Sequence, residues 1–154
     1  MNQDTLLDQF INGENITHSQ LYKKYVNELY SYGVSLGFAS NKCMDAIHDI
    51  FCKIFINKKE LNDIQNIKYY LFRSLKNRLI DIQKQEKRIS HDDVAEYNFT
   101  VEVSVVDAII DEEEREQLKT KVKNLMDSLT SNQREAIYLR YMQEMEYEEI
   151  AQLL

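Results

Sequence analysis

The 154-residue sequence has no proline and only three glycines. Without proline, a long helix meets no residue that removes a backbone donor and kinks it. With so little glycine, the tight primed turns of β-hairpins have few formers. A helical chain follows as the expectation. No stretch approaches the roughly 18 uninterrupted apolar residues of a membrane span. The N-terminal MNQDTLLDQF also lacks the basic-then-apolar layout of a signal peptide, so a cytoplasmic protein without membrane insertion is expected. The two cysteines, Cys43 and Cys52, stand nine residues apart in one helical pattern. Nine residues is about 2.5 turns, so they face different ways and cannot pair locally. Free, half-buried thiols in a reducing compartment are expected. His18, His48 and His91 show no metal-ligand spacing, and neither a metal nor a cofactor is expected.

What the chain does have is charge, 29% of its residues, and a 44% apolar fraction sufficient for a core. The net charge of −7 is unevenly distributed. Residues 1–90 hold 13 lysines and arginines against 10 acids, whereas residues 91–154 hold 6 against 16. An acidic protein can still bind nucleic acid when its cations gather on one surface, so their location matters more than the total.

Hydrophobic spacing predicts four amphipathic helices in the first half. Leu6, Leu7, Phe10 and Ile11 form a short one before Gly13. LYKKYVNELYSYGVSLGF carries Leu21, Tyr25 and Leu29 on one stripe and has Gly37 as a C-cap. MDAIHDIFCKIF places Ile47, Ile50, Phe51, Ile54 and Phe55 at i, i+3, i+4, i+7 and i+8. After the polar loop NKKELNDIQN comes IKYYLFRSLKNRLIDIQKQEKR, with Ile67, Leu71, Ser74, Leu75, Leu79 and Ile82 as its buried stripe. YNFTVEVSVVD then alternates with period two, the mark of an extended segment. A second helical unit opens at DAIIDEEEREQLKTKVKNLMDSL, with acids in its first turns as the helix dipole favours. The expected organisation is all-α and two-domain: residues 1–88, an acidic extended linker over 89–106, and a second unit over 107–154.

At 100° per residue, the side of the 67–86 helix opposite its apolar stripe bears Tyr69, Arg73, Lys76, Asn77, Ile80 and Lys84, flanked by Lys68 and Arg78. Over 68–88, seven cations face only Asp81 and Glu86. Cations beside an aromatic ring and an amide suit single-stranded nucleic acid: phosphates meet Lys and Arg, a base stacks, and an amide reads a base edge. A charge run alone also fits a solvated face, but an exposed tyrosine and isoleucine within it are superfluous for solvation. On MDAIHDIFCKIF, Asp45, His48, Asp49 and Lys53 form a compact outer surface. Two carboxylates on one regular helix with no third partner argue against catalysis. Solvation and docking to a basic partner helix remain the two readings.

Near the C-terminus, Thr130 with Gln133 makes a T-x-x-Q capping box that starts a helix running through Arg140 and Tyr141. QEME is the turn, and YEEIAQLL is the next helix, with Ile150, Leu153 and Leu154 inward and Ala151 small. On spacing alone this is either the opening of a helix-turn-helix or an ordinary helical hairpin.

Taken together, these pieces resemble a bacterial RNA polymerase sigma factor of the extracytoplasmic-function (ECF) type. DAIHDIFCKIF is similar to that family's D-L-V-Q-E-V-F-L-K-L-W helix, which docks on the clamp coiled coil of RNA polymerase. Asp45 and Asp49 match its acidic positions, and His48 replaces the usual Gln. IKYYLFRSLKNRLIDIQKQEKR resembles A-Y-L-Y-R-I-A-R-N-L-x-I-D-x-x-R-R, the helix that engages the melted upstream promoter element, with Arg73, Asn77 and Asp81 on its Arg, Asn and Asp. The loop from Asn57 to Asn66 corresponds to the loop that captures a flipped base. LTSNQREAIYLRYMQEMEYEEIAQLL resembles L-P-x-x-x-R-E-V-F-L-L-R-Y-x-E-G-L-S-Y-E-E-I-A-E-L-L, the start of the second DNA-binding domain. The resemblance implies a non-catalytic initiation factor whose partners are core RNA polymerase, the melted non-template strand of promoter DNA and an anti-sigma factor, with no small-molecule substrate. It assigns Lys68, Tyr69, Arg73, Lys76, Asn77, Arg78 and Lys84 to DNA, and Asp45, His48, Asp49 and Lys53 to polymerase. It also implies an Arg- and Lys-rich recognition helix beyond Leu154, without which the upstream promoter box is not expected to be read unaided. The family's turn Gly is Glu144 here and its Ser N-cap is Glu146, which implies a looser turn and a cap weaker by about 1 kcal/mol. The rival readings are a helix-turn-helix regulator that binds duplex DNA alone, and a helical protein-binding adaptor.

Overall fold

The structure, a computed structural model, describes residues 18–57, 64, 66–90, 97–102 and 111–154. The short helix expected over Leu6–Ile11, most of the 57–66 loop and much of the 89–106 segment lie outside the described residues. The described elements are all helical or irregular: α1 (His18–Ser35), α2 (Ser40–Ile56), α3 (Ile67–Ser90), α4 (Glu112–Asp127), α5 (Ser131–Ile137), a π-helical turn (Tyr138–Met142) and α6 (Tyr147–Leu153). They fall into two compact units, with the division between Glu96 and Tyr97.

In the first unit α1, α2 and α3 pack against one another. The core is the stripe read from the sequence: Leu21, Tyr25 and Leu29 from α1, Ile47, Ile50, Phe51 and Ile54 from α2, and Ile67, Leu71, Leu75 and Leu79 from α3. Phe72 lies off the expected α3 stripe yet is fully buried, its ring 4.8 Å from that of Tyr32. Ser74 and Ile82, placed on that stripe, are only half-buried. Helix α1 ends as expected at Gly37, whose φ of 96° only glycine adopts freely. The Gly37 amide donates to Val34 O and the Phe38 amide to Gly33 O, closing a Schellman motif. Gly33 is needed for space instead. A Cβ there would come within 2.8 Å of Cys43 Sγ, so α1 and α2 approach each other through the missing side chain. Burial pushes the Cys43 thiol above its ordinary range, a backbone hydrogen bond partly opposing, which leaves it an inert packing group. Both cysteines are free, but they are not alike: Cys43 is buried and Cys52 exposed.

In the second unit, Asp111 caps α4 by accepting the Glu113 amide at 2.8 Å, below three glutamates in the first turn. Thr130 and Gln133 form the expected reciprocal box on α5. The helix does not continue to Tyr141 as an α-helix. It widens into the π-turn, closed by the Gln143 amide donating to Tyr138 O. Residues 97–102 form neither helix nor strand, so the period-two pattern does not make a strand there, and they belong to this unit. Phe99 is fully buried with its ring 5.3 Å from that of Tyr138, edge to face. Its amide donates to Ser131 Oγ at 2.7 Å and its carbonyl accepts from Arg134 Nε at 2.7 Å. Arg134 also donates to Leu129 O, Met126 O and Asn98 Oδ1. One guanidinium therefore joins the 97–102 segment to carbonyls at and just beyond the C-terminal end of α4.

The QEME turn is closed without the glycine and serine that favour it. Glu144 sits at φ 56°, a left-handed conformation that costs a non-glycine residue roughly 1–2 kcal/mol. Arg140 offsets this by donating to Met145 O at 2.8 Å, approaching Glu146 Oε2 at 3.6 Å and covering the Tyr147 ring at 4.5 Å. Glu149 accepts the Glu146 amide at 3.3 Å, which supplies the cap. Replacing Glu144 with Gly is expected to stabilise this unit by about 1 kcal/mol. Thermal denaturation checks it: the transition of residues 97–154 should rise by about 4–8 °C, and an unchanged or lower midpoint contradicts the strain.

Candidate nucleic-acid and polymerase interfaces

The face expected to meet nucleic acid is built by the regular winding of α3. Asn66 starts the helix, its side-chain oxygen accepting the Tyr69 amide at 3.3 Å. Burial of Ile67, Leu71, Leu75 and Leu79 then fixes the rotation of the helix. Arg73, Asn77 and Lys84 are exposed as a result, with Tyr69, Lys76 and Ile80 half-buried beside them. Arg73 Nη1 donates to Tyr69 OH at 3.4 Å, which aligns a guanidinium with an aromatic ring on one outward face. The tyrosine and isoleucine, expected to be exposed, are half-buried. Each keeps part of its ring or chain against the helix bundle, which leaves a partial apolar surface next to the cations.

The two flanking cations are used differently. Lys68 is largely enclosed and sits 3.3 Å from Glu28 of α1. Arg78 Nε donates to Asp49 Oδ2 of α2 at 2.9 Å, with both side chains still partly open to solvent. These two pairs fasten α3 to its neighbours. The four residues with polymerase assigned to them, Asp45, His48, Asp49 and Lys53, are all exposed on α2. His48 Nε2 lies 3.2 Å from Tyr22 OH, and the two rings stack at 6.0 Å, so Tyr22 of α1 extends this surface. Sequence spacing does not reveal Tyr22 as part of this surface, because it lies on another helix 26 residues from His48.

Asp49 and Arg78 were assigned to separate surfaces 29 residues apart, yet the structure brings them together. They line one open groove of about 470 Å³ between α2 and α3, along with Ile50, Lys53, Tyr70, Ser74, Asn77 and Asp81. Among the described residues, no cluster of three or more His, Cys, Asp or Glu could hold a metal, and no helix is long and apolar enough to cross a membrane. The groove sets acids beside bases, an arrangement suited to binding.

Two comparisons with known proteins bear on this geometry. The family described as Sigma-70, region 4 matches residues 119–154, which include α5, the π-turn and α6. The ECF RNA polymerase sigma factor SigM of Bacillus subtilis (strain 168) is 24% identical over 141 residues, covering 90% of this chain and 82% of that protein. The second likeness includes the three-helix unit as well as the C-terminal one.

Proposed function

We propose that the chain is an extracytoplasmic-function sigma factor serving in transcription initiation, whose first unit docks on core RNA polymerase through α2 and holds the melted non-template strand of the promoter along α3. The observation that carries this reading is the outward face of α3, where Arg73 is hydrogen-bonded to Tyr69 one turn away and Asn77 and Lys84 are exposed. Arg73, Lys76 and Lys84 meet phosphates, Tyr69 offers a stacking ring, and the Asn77 amide reaches a base edge. On α2, Asp45 and Asp49 meet a basic partner helix, and His48 and Lys53 border that contact. Binding and positioning account for the whole activity, and the chemistry of RNA synthesis is the polymerase's own.

The proposed division is a polymerase-docking and promoter-melting domain over residues 1–88, a linker over 89–106 whose residues 97–102 pack into the second unit, and a helix-turn-helix domain over 107–154. An anti-sigma factor is the further partner of this reading, and the cytoplasm is its place of action. The docking assignment is tested by co-purification with core RNA polymerase. The wild-type chain should co-elute, and Asp45→Lys with Asp49→Lys should abolish co-elution while leaving the helical signal intact. Undiminished retention of that variant sinks the α2 assignment. Sequence-specific binding to duplex DNA without polymerase would instead favour the stand-alone regulator.

A further inference from the structure

The geometry points to Asp49 as a positioning residue that controls whether Arg78 is available to nucleic acid, so that polymerase docking and strand binding are coupled through one ion pair. This rests on the reading of α2 as the docking helix and of α3 as the nucleic-acid helix. Arg78 Nε and Asp49 Oδ2 are 2.9 Å apart, and the two side chains keep 38% and 50% of their exposure. The pair is therefore reachable from solvent and exchangeable, unlike a buried one. It borders the same groove as Asn77, which is exposed on the nucleic-acid side, and Lys53, which is exposed on the docking side.

A carboxylate held by Arg78 offers less to a basic partner, and a guanidinium held by Asp49 offers less to phosphate. When a basic partner helix takes Asp49, Arg78 is released one residue from Asn77 and adds a cation to the strand-binding face. Each ligand thus strengthens the other, because the same bond is broken by both and is lost only once. An exposed ion pair is worth little, which limits the coupling to about fivefold at most.

The test is fluorescence anisotropy of the full chain with a labelled single-stranded oligonucleotide of promoter sequence, measured across a salt series. Asp49→Asn should tighten binding two- to fivefold and steepen the dependence of log affinity on log salt by about 0.7, one added phosphate contact on a single strand. In an Arg78→Gln background the same change should give no gain. Asp45→Asn, which removes the same charge from α2 without touching Arg78, should give less than half the gain. A purely structural role for the pair predicts weaker binding by Asp49→Asn, and that result overturns the inference. An equal gain with and without Arg78 also overturns it, since only net charge would then be acting. Failure of the underlying reading looks different: Arg73→Glu with Lys76→Glu would leave oligonucleotide binding unchanged, or no variant would bind, and the inference falls with it. With that double variant impaired and the Asp49→Asn gain absent, the coupling alone is refuted.

Discussion

Phe99→Ala is expected to unfold the second unit while leaving the first intact. The ring is fully buried against Tyr138, and large-to-small changes at such phenylalanines cost about 3–5 kcal/mol. A whole domain rarely has more than about 5–15 kcal/mol of stability, and a unit of this size stands toward the low end of that range. The loss should spread beyond the ring. Without it the 97–102 segment detaches, and the Ser131 and Arg134 bonds to the Phe99 backbone go with it. Residue-resolved hydrogen exchange checks this. Amides of α5, the π-turn and α6 should lose protection, whereas those of α1, α2 and α3 keep theirs. Equal loss in both units would show that they do not fold separately, and protection unchanged in α5 would show that Phe99 is not the keystone of this unit.

The two units were legible to different depths, for physical reasons. In the first, apolar residues at helical spacing specify which face is buried, and so most core residues of α1, α2 and α3 followed from periodicity, Tyr32, Cys43 and Ala46 apart. Phe72 did not follow because it packs beside the stripe, where only the position of Tyr32 on another helix makes room for it. The Thr130–Gln133 box and the Gly37 cap were also legible, since their partners lie within a few residues. In the second unit the organising contacts are long-range. Arg134 reads as a surface cation in a helix, and nothing local reveals that it gathers carbonyls from Phe99 and Leu129. The π-turn depends on one amide reaching five residues back, a choice made by packing and left unmarked in the sequence. Within the candidate site, the outward residues of α3 were legible as a face. The Asp49–Arg78 pair was hidden because 29 residues and a loop separate its members.

Reversing two charges on α3, Arg73→Glu with Lys76→Glu, is the change expected to hurt function most. Two charge-assisted contacts to phosphate, each worth about 1.5–3 kcal/mol, are replaced by repulsion. Affinity for the melted strand should fall about a hundredfold or more. Because each lost phosphate contact on a single strand removes about 0.7 from the salt slope, the dependence should flatten by about 1.4. Arg73 is exposed and Lys76 only half-buried, and neither belongs to the packed stripe of α3, so the helix and its core should persist. Docking on α2 should persist as well. The most direct measurement is open-complex formation by core RNA polymerase carrying this variant, at moderate salt, on duplex and on pre-melted promoter DNA. The account predicts that the variant still co-purifies with polymerase but fails to hold either DNA in the open form. Open complexes formed as readily as with the wild-type chain would contradict it.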